Sequence, residues 1–226
     1  MKDDVNDGGK TLVLTSRELS FSYPNRHVFS GWAREFRAGM TWVHGSNGCG
    51  KSTLLKLLAG ALTPITGHID IQGISIAEQP LQYRRKVFYC GAGPIVFDHL
   101  SAAEYFGFMR TLYPCIDEVG LLQNVEGFGL HPFLNSPLAT LSTGTQRKVW
   151  LAVALAAGTT VTLLDEPLNA LDTKSLKHLR STLLACAQDR SRVWIVASHE
   201  DLGADSWCDT LEMDSSSSAQ CPAGAG

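Results

Sequence analysis

The spacing of hydrophobic positions changes twice along the chain. Over residues 11–19 and 69–76, apolar and polar residues alternate as in half-buried strands, and 41–44 reads as a short buried strand. Between them, Leu54, Leu55, Leu57 and Leu58 have the spacing of a buried helix over residues 52–59. From 95 to 157 the β-branched runs thin out, and residues 117–123 and 146–157 carry apolar side chains at helical spacing. Strands return at 161–164 (VTLL) and 193–197 (VWIVA), short apolar runs of the kind that sit in the middle of parallel sheets. A helix over 174–187 lies between them, which makes a βαβ unit. The pattern predicts an α/β core interrupted by a mostly helical lobe over about residues 95–157. Residues 1–10 and 214–226 are expected to be a disordered leader and tail, since SSSS and PAGAG offer no apolar surface to offset the entropy of ordering.

Composition narrows the class. A chain of 226 residues suits one domain carrying a lobe. The net charge of -3 gives no general basic face, so nucleic acid is not an expected partner. No apolar run reaches the roughly 18–20 residues that span a bilayer, and MKDDVNDGGK lacks the basic-then-apolar order of a signal peptide. The six cysteines are scattered without C-x-x-C or zinc-like spacing, which fits reduced thiols in a cytosolic chain.

The segment GSNGCGKST carries the first candidate chemistry. Gly45, Gly50, Lys51 and Ser52 stand in the fixed places of G-x-x-x-x-G-K-[ST], with Ser46, Asn47, Gly48, Cys49 and Thr53 filling the loop. Glycines let the backbone curl so that successive N–H groups face phosphate oxygens, and the helix that follows adds the positive end of its dipole. Lys51 would bring a point charge to the β- and γ-phosphates of a nucleotide, and Ser52 a hydroxyl ligand for Mg²⁺. The plainer alternative is a glycine-rich turn before a helix. A strand before the loop and an apolar helix after it favour the phosphate reading.

The strand VTLL ends in Asp165 and Glu166. Open α/β sheets bind ligands at the carboxyl ends of their strands. Asp165 is therefore a candidate Mg²⁺ ligand and Glu166 a candidate general base for an attacking water. Alone, the pair could equally be two acids at a turn before Pro167. The upstream loop tips the reading towards metal and water. LSTGTQRK (141–148) opens another helix, with Ser142 as a plausible N-cap and Gly144 allowing close backbone approach. On this segment alone, an ordinary capped helix is the better reading.

Taken together, these segments resemble the nucleotide-binding subunit of an ABC transporter. The resemblance covers roughly residues 11–213, with phosphate loop, helical lobe, LSGGQ-like signature, acidic strand and a late histidine in the family's order. It implies a P-loop NTPase core with a mixed, mostly parallel sheet, an antiparallel β subdomain and an inserted helical lobe. It implies ATP and Mg²⁺ as ligands and ATP hydrolysis as the activity. Tyr23 resembles the aromatic that stacks on adenine, though a surface turn tyrosine is the alternative. Asp172 stands in the loop that communicates across a dimer, and could also cap a helix. His199 resembles the switch histidine at the γ-phosphate. Ser142 and Gly144 would touch ATP held by a second copy of the chain, so that two ATPs lie between two head-to-tail subunits. Docked on an integral membrane subunit, the pair would sit at the cytoplasmic face of the membrane.

Two segments depart from the family pattern. LSTGT replaces LSGGQ, with Thr143 for a glycine and Thr145 for the glutamine. The glutamine that senses Mg²⁺ and water falls at or near Ala92, and no glutamine lies between Gln82 and Gln123. The stretch from Phe97 to Tyr113, rich in aromatics, is expected to supply lobe core and to border a groove for a membrane partner. Compact subunits of small exporters, the haem-exporter ATPase subunit of cytochrome c maturation among them, are similar. Export is the favoured direction. A soluble ABC-type ATPase, or a nucleotide-sensing regulator not coupled to transport, is the alternative.

Overall fold

The computed structural model describes residues 11–91, 93, 97–203 and 208–213. The expected leader and tail and the Ala92 position lie outside the described residues. Two sheets organise the chain. The first has the order β2-β1-β4-β5, from β1 (Leu12–Tyr23), β2 (Arg26–Arg37), β4 (Thr66–Ile71) and β5 (Ile74–Ser75), all paired antiparallel. The second has the order β6-β7-β8-β3-β9, from β3 (Gly39–His44), β6 (Val87–Cys90), β7 (Val161–Asp165), β8 (Val193–Ala197) and β9 (Asp209–Glu212). Every pairing in it is parallel. Among the described residues, antiparallel strand pairing occurs in the smaller sheet, beside one isolated antiparallel bridge between Ser101 and Pro137.

Both faces of the parallel sheet are covered, which is why its strands read as unbroken apolar runs. Along β8, Trp194 and Val196 join one buried cluster, while Val193, Ile195 and Ala197 join the other. The first cluster includes residues of α3 (Ala102–Leu112), α4 (Glu118–Gly127), α5 (Thr143–Ala156) and α6 (Thr173–Ala187). The second includes α1 (Lys51–Leu58) and the inward side chains of the antiparallel sheet. A short α2 (Pro80–Arg85) buries Tyr83, whose hydroxyl donates to Leu58 O at 2.6 Å.

The lobe begins with a capping box, in which the Ser101 hydroxyl accepts from Glu104 N–H and the Glu104 carboxylate accepts from Ser101 N–H. The strand expected over 69–76 is in fact β4, a turn and β5. Gln72 and Gly73 take φ of 52° and 79°, the positive pair that a two-residue hairpin needs. None of the helices among the described residues is long and apolar enough to cross a membrane.

Candidate active site

Loops at the carboxyl ends of β3, β7 and β8 converge on one site. β3 stops at His44, and the chain turns through residues 45–50 into α1. A side chain at Gly45 is excluded: a Cβ there would fall 2.1 Å from the Met213 carbonyl oxygen and 2.9 Å from Cys49 Sγ. Gly50 caps α1 in the left-handed region, φ 112°. The opening N–H groups of that helix have no intrahelical acceptor and face an incoming anion. Cys49 N–H donates to Ser46 O at 3.2 Å to close the turn, with Asn47 and Gly48 between them. Arg26 donates to Gly48 O. Lys51 is buried, and its Nζ folds back to Gly45 O at 2.7 Å and Ser46 O at 3.2 Å. Tyr23 closes one flank. Its ring packs edge-on against Phe21 at 5.0 Å, and its hydroxyl lies 3.4 Å from Thr53 Oγ1.

Opposite the loop stands Asp165, almost wholly buried. Ser52 donates to its Oδ1 at 2.9 Å, and Tyr89 donates to its Oδ2 at 3.3 Å. Burial raises the Asp165 carboxyl above the ordinary carboxylate range, against the lowering effect of those two hydroxyls. Burial and the neighbouring Asp165 push the Tyr89 phenol up as well, so it is a proton donor at neutral pH. A buried carboxylate that accepts hydrogen bonds from two hydroxyls, Ser52 and Tyr89, offers oxygen donors that fit a hard divalent cation such as Mg²⁺.

Glu166 follows directly, at φ 48°, a left-handed conformation that costs a non-glycine residue on the order of 1 kcal/mol or more. Its N–H donates to Ala197 O at 2.8 Å, which ties it to the end of β8. Oε2 accepts from His199 Nδ1 at 2.7 Å and from His199 N–H at 3.3 Å, and Oε1 lies 3.9 Å from Lys51 Nζ. Since the carboxylate can only accept, the imidazole carries its proton on Nδ1 in this pair.

Ser142, Gly144 and Asp172 form a second cluster. The Ser142 hydroxyl caps α5 by accepting from Thr145 N–H at 3.2 Å. At Gly144 a Cβ would meet the Ala170 carbonyl at 2.6 Å, so the start of α5 and the loop after Glu166 touch backbone to backbone. Asp172 caps α6 through Ser175 N–H at 2.9 Å and pairs with Lys148. Lys148 and the cap together hold the Asp172 carboxyl well below its usual range. A group depressed in this way contributes stability that is fully present above the ordinary carboxylate pKa, declines below it and is lost as pH falls through the depressed folded value. Asp172→Asn should therefore cost about 1 kcal/mol or less in urea melts at pH 7. The difference from the native chain should shrink towards pH 3.

Two residues that the sequence reading passed over belong to the site. Tyr89 reaches Asp165 from the neighbouring strand β6. Arg147, buried on α5, donates to Gly91 O, Asp165 O and Glu166 O. The available signal for Arg147 was a charge one helical turn from Gly144 and Leu151, on the inward side of α5. Of the aromatics in 97–113, Tyr105 and Phe106 are buried in the core, and Phe97, Tyr105, Phe108 and Tyr113 line a cavity of about 540 Å³ that reaches Ser52 and Asp165. Among the described residues no group of three or more His, Cys, Asp or Glu could hold a metal, and five cysteines are free thiols.

Residues 35–169 match the ABC transporter family model. The cytochrome c biogenesis ATP-binding export protein CcmA of Pseudomonas syringae is 32% identical over 176 residues, covering 76% of this chain and 82% of that protein. The protein of the same name from Pseudomonas putida is 32% identical over 190 residues, covering 84% and 90%. A solved ATP-binding subunit of an ABC transporter superposes with a TM-score of 0.79 at 25% identity, covering 90% of this chain and 86% of that one.

Proposed function

The chain belongs to the ABC transporter ATP-binding family, as an ATPase coupled to transport, and from that premise we propose that two copies close head to tail on two ATPs and drive export through an integral membrane subunit. The observation that supports this reading is the convergence of Lys51, Ser52, Asp165, Glu166 and His199 on one loop end, with Ser142 and Gly144 on a different element, the start of α5. One chain thus offers two half-sites, which a second copy brings together.

The geometry supports the following division of labour. Loop N–H groups from Gly45 to Thr53 and the Lys51 ammonium bind the phosphates, and Tyr23 supports the base. When nucleotide enters, Lys51 exchanges the Gly45 and Ser46 carbonyls for phosphate oxygens. Ser52 and Asp165 would hold Mg²⁺, which supplies positive charge to the phosphate oxygens. Glu166 takes a proton from the attacking water. His199 orients that carboxylate through its hydrogen bond to Oε2 and would contact the γ-phosphate. Ser142 and Gly144 complete the neighbour's site, and Asp172, paired with Lys148 of the same helix α5, would join them at the subunit junction. The names of the relatives support export, and the same family supports a peripheral position on the cytoplasmic face of the membrane.

The dimer is testable on the chain itself. With Glu166→Gln and Mg-ATP, light scattering should report a doubled mass that returns to the single-chain value with ADP, and Ser142→Arg should abolish the doubling. A mass unmoved by ATP in the Glu166→Gln chain, alone and with its co-purified membrane partner, would refute it.

A further inference from the structure

Arg147 is a buried cation without a carboxylate partner in its hydrogen bonds. Only 6% of its surface is exposed. Buried guanidinium groups need their donors satisfied. Here Nη1 and Nη2 donate to three backbone carbonyls from two strand ends, Gly91 O after β6, Asp165 O at the end of β7, and Glu166 O at 2.9 Å, while the buried Nε has no hydrogen-bond acceptor among the described residues. The hydrogen bonds to the Asp165 and Glu166 carboxylates come from Ser52, Tyr89 and His199 instead. The Trp150 ring lies one turn along α5, 6.0 Å from the guanidinium carbon.

This arrangement bears on the strained residue. Glu166 sits at φ 48° with its N–H donated to Ala197 O of β8 and its carbonyl held by Arg147 of α5. Its backbone is therefore pinned on one side by the core sheet and on the other by the helix that begins at Ser142. Gly144 presses that helix start against the Ala170 carbonyl, four residues beyond Glu166 and itself at φ 62°. A displacement of α5 moves the Glu166 peptide through one rigid fork.

We propose that Arg147 is a positioning residue for hydrolysis, which ties the aim of the Glu166 carboxylate to the position of α5. This rests on the reading of Glu166 as the general base. A planar fork suits this position, because its two separated amino groups reach the two strand ends at once, whereas a lysine offers a single nitrogen.

The test uses Arg147→Lys and Arg147→Gln in the full chain, each alone and combined with Glu166→Gln. Both single variants should keep ADP affinity and the KM for ATP within ~3-fold and lower kcat by ~10-fold or more, with lysine the milder. In the Glu166→Gln background, adding either substitution should lower turnover no further. Independent, multiplicative losses in the two backgrounds would overturn the proposal. So would failure of both variants to fold, since Arg147 would then serve the fold and not the base. If Glu166→Gln itself leaves turnover unchanged, the general-base reading fails first, and the two failures are told apart. Hydrogen exchange gives a second readout independent of turnover. Both variants should speed exchange over residues 165–170 and leave residues 45–58 unchanged. Unchanged exchange at 165–170, or acceleration throughout the chain, counts against the proposal.

Discussion

Replacing Glu166 by glutamine should lower ATP turnover by roughly 10²–10⁴-fold while leaving ATP affinity within a few-fold. The substitution preserves shape and the acceptor oxygen that His199 Nδ1 approaches at 2.7 Å, so the local structure is retained. What is lost is the basic oxygen pair that receives a proton as water attacks. The left-handed backbone at Glu166, φ 48°, is unaffected, because the strain belongs to any side chain with a Cβ. The Lys51 ammonium, 3.9 Å away, loses a neighbouring negative charge but keeps its carbonyl acceptors on the loop. Steady-state phosphate release together with equilibrium binding of ATP measures both quantities. Turnover within ~3-fold of the native chain would remove Glu166 from the role of base. An equal loss of binding and turnover would mean that the residue contributes to binding throughout and not to the transition state alone.

The core was legible because its strands are buried on both faces and its phosphate loop has fixed spacing. VTLL and VWIVA are unbroken apolar runs, and they are the two strands that sit side by side as β7 and β8. The first sheet was less legible for a definite reason. In β2 the inward aromatics Phe29, Trp32 and Phe36 are spaced by three and four residues, a helical interval. Register shifts along β1 displace the alternation, so that Leu19 faces Trp32 and Phe21 faces Phe29. Strands β6 and β9 are four residues each, too short for a period to emerge.

In the candidate site, Lys51, Ser52, Asp165 and Glu166 stand out in the sequence by motif and strand end, and His199 by the family resemblance, and the structure brings the five together. Tyr89 carries no such motif, and the inward placement of Arg147 on α5 marks it as buried without naming its partners, which lie on other elements. Tyr89 meets Asp165 only through the parallel pairing of β6 with β7, and Arg147 meets Glu166 only because α5 packs over the strand ends. Gly144 was singled out for close backbone approach, and the structure supplies the reason within one chain, the Ala170 carbonyl. Asp172 likewise has a structural role as the α6 cap, which is compatible with a place at a subunit junction.

Lys51→Ala should have the other large effect, and mainly on the liganded chain. Without nucleotide, the ammonium is satisfied by Gly45 O and Ser46 O, which are the loop's own carbonyls. Removing it leaves those carbonyls at the loop surface, so the melting temperature of the free chain should change little. With nucleotide, the same ammonium is the buried positive charge nearest the phosphates. Losing a charge-assisted contact of ~1.5–3 kcal/mol weakens ATP binding about 10–100-fold. The developing charge in the transition state depends on it further, so kcat should fall by roughly 10²-fold or more. Arginine should not restore function, because its wider fork does not fit a position that is 6% exposed and closed in by the loop backbone. The ATP-induced rise in melting temperature separates the two states in one experiment. Ligand stabilisation depends on concentration relative to Kd, so the variant should need about 10–100 times more ATP for the same rise. An ATP-induced rise equal to that of the native chain at equal ATP would show that Lys51 does not reach the phosphates. A large drop in the melting temperature of the free chain would show instead that its role is to hold residues 45–50 in shape.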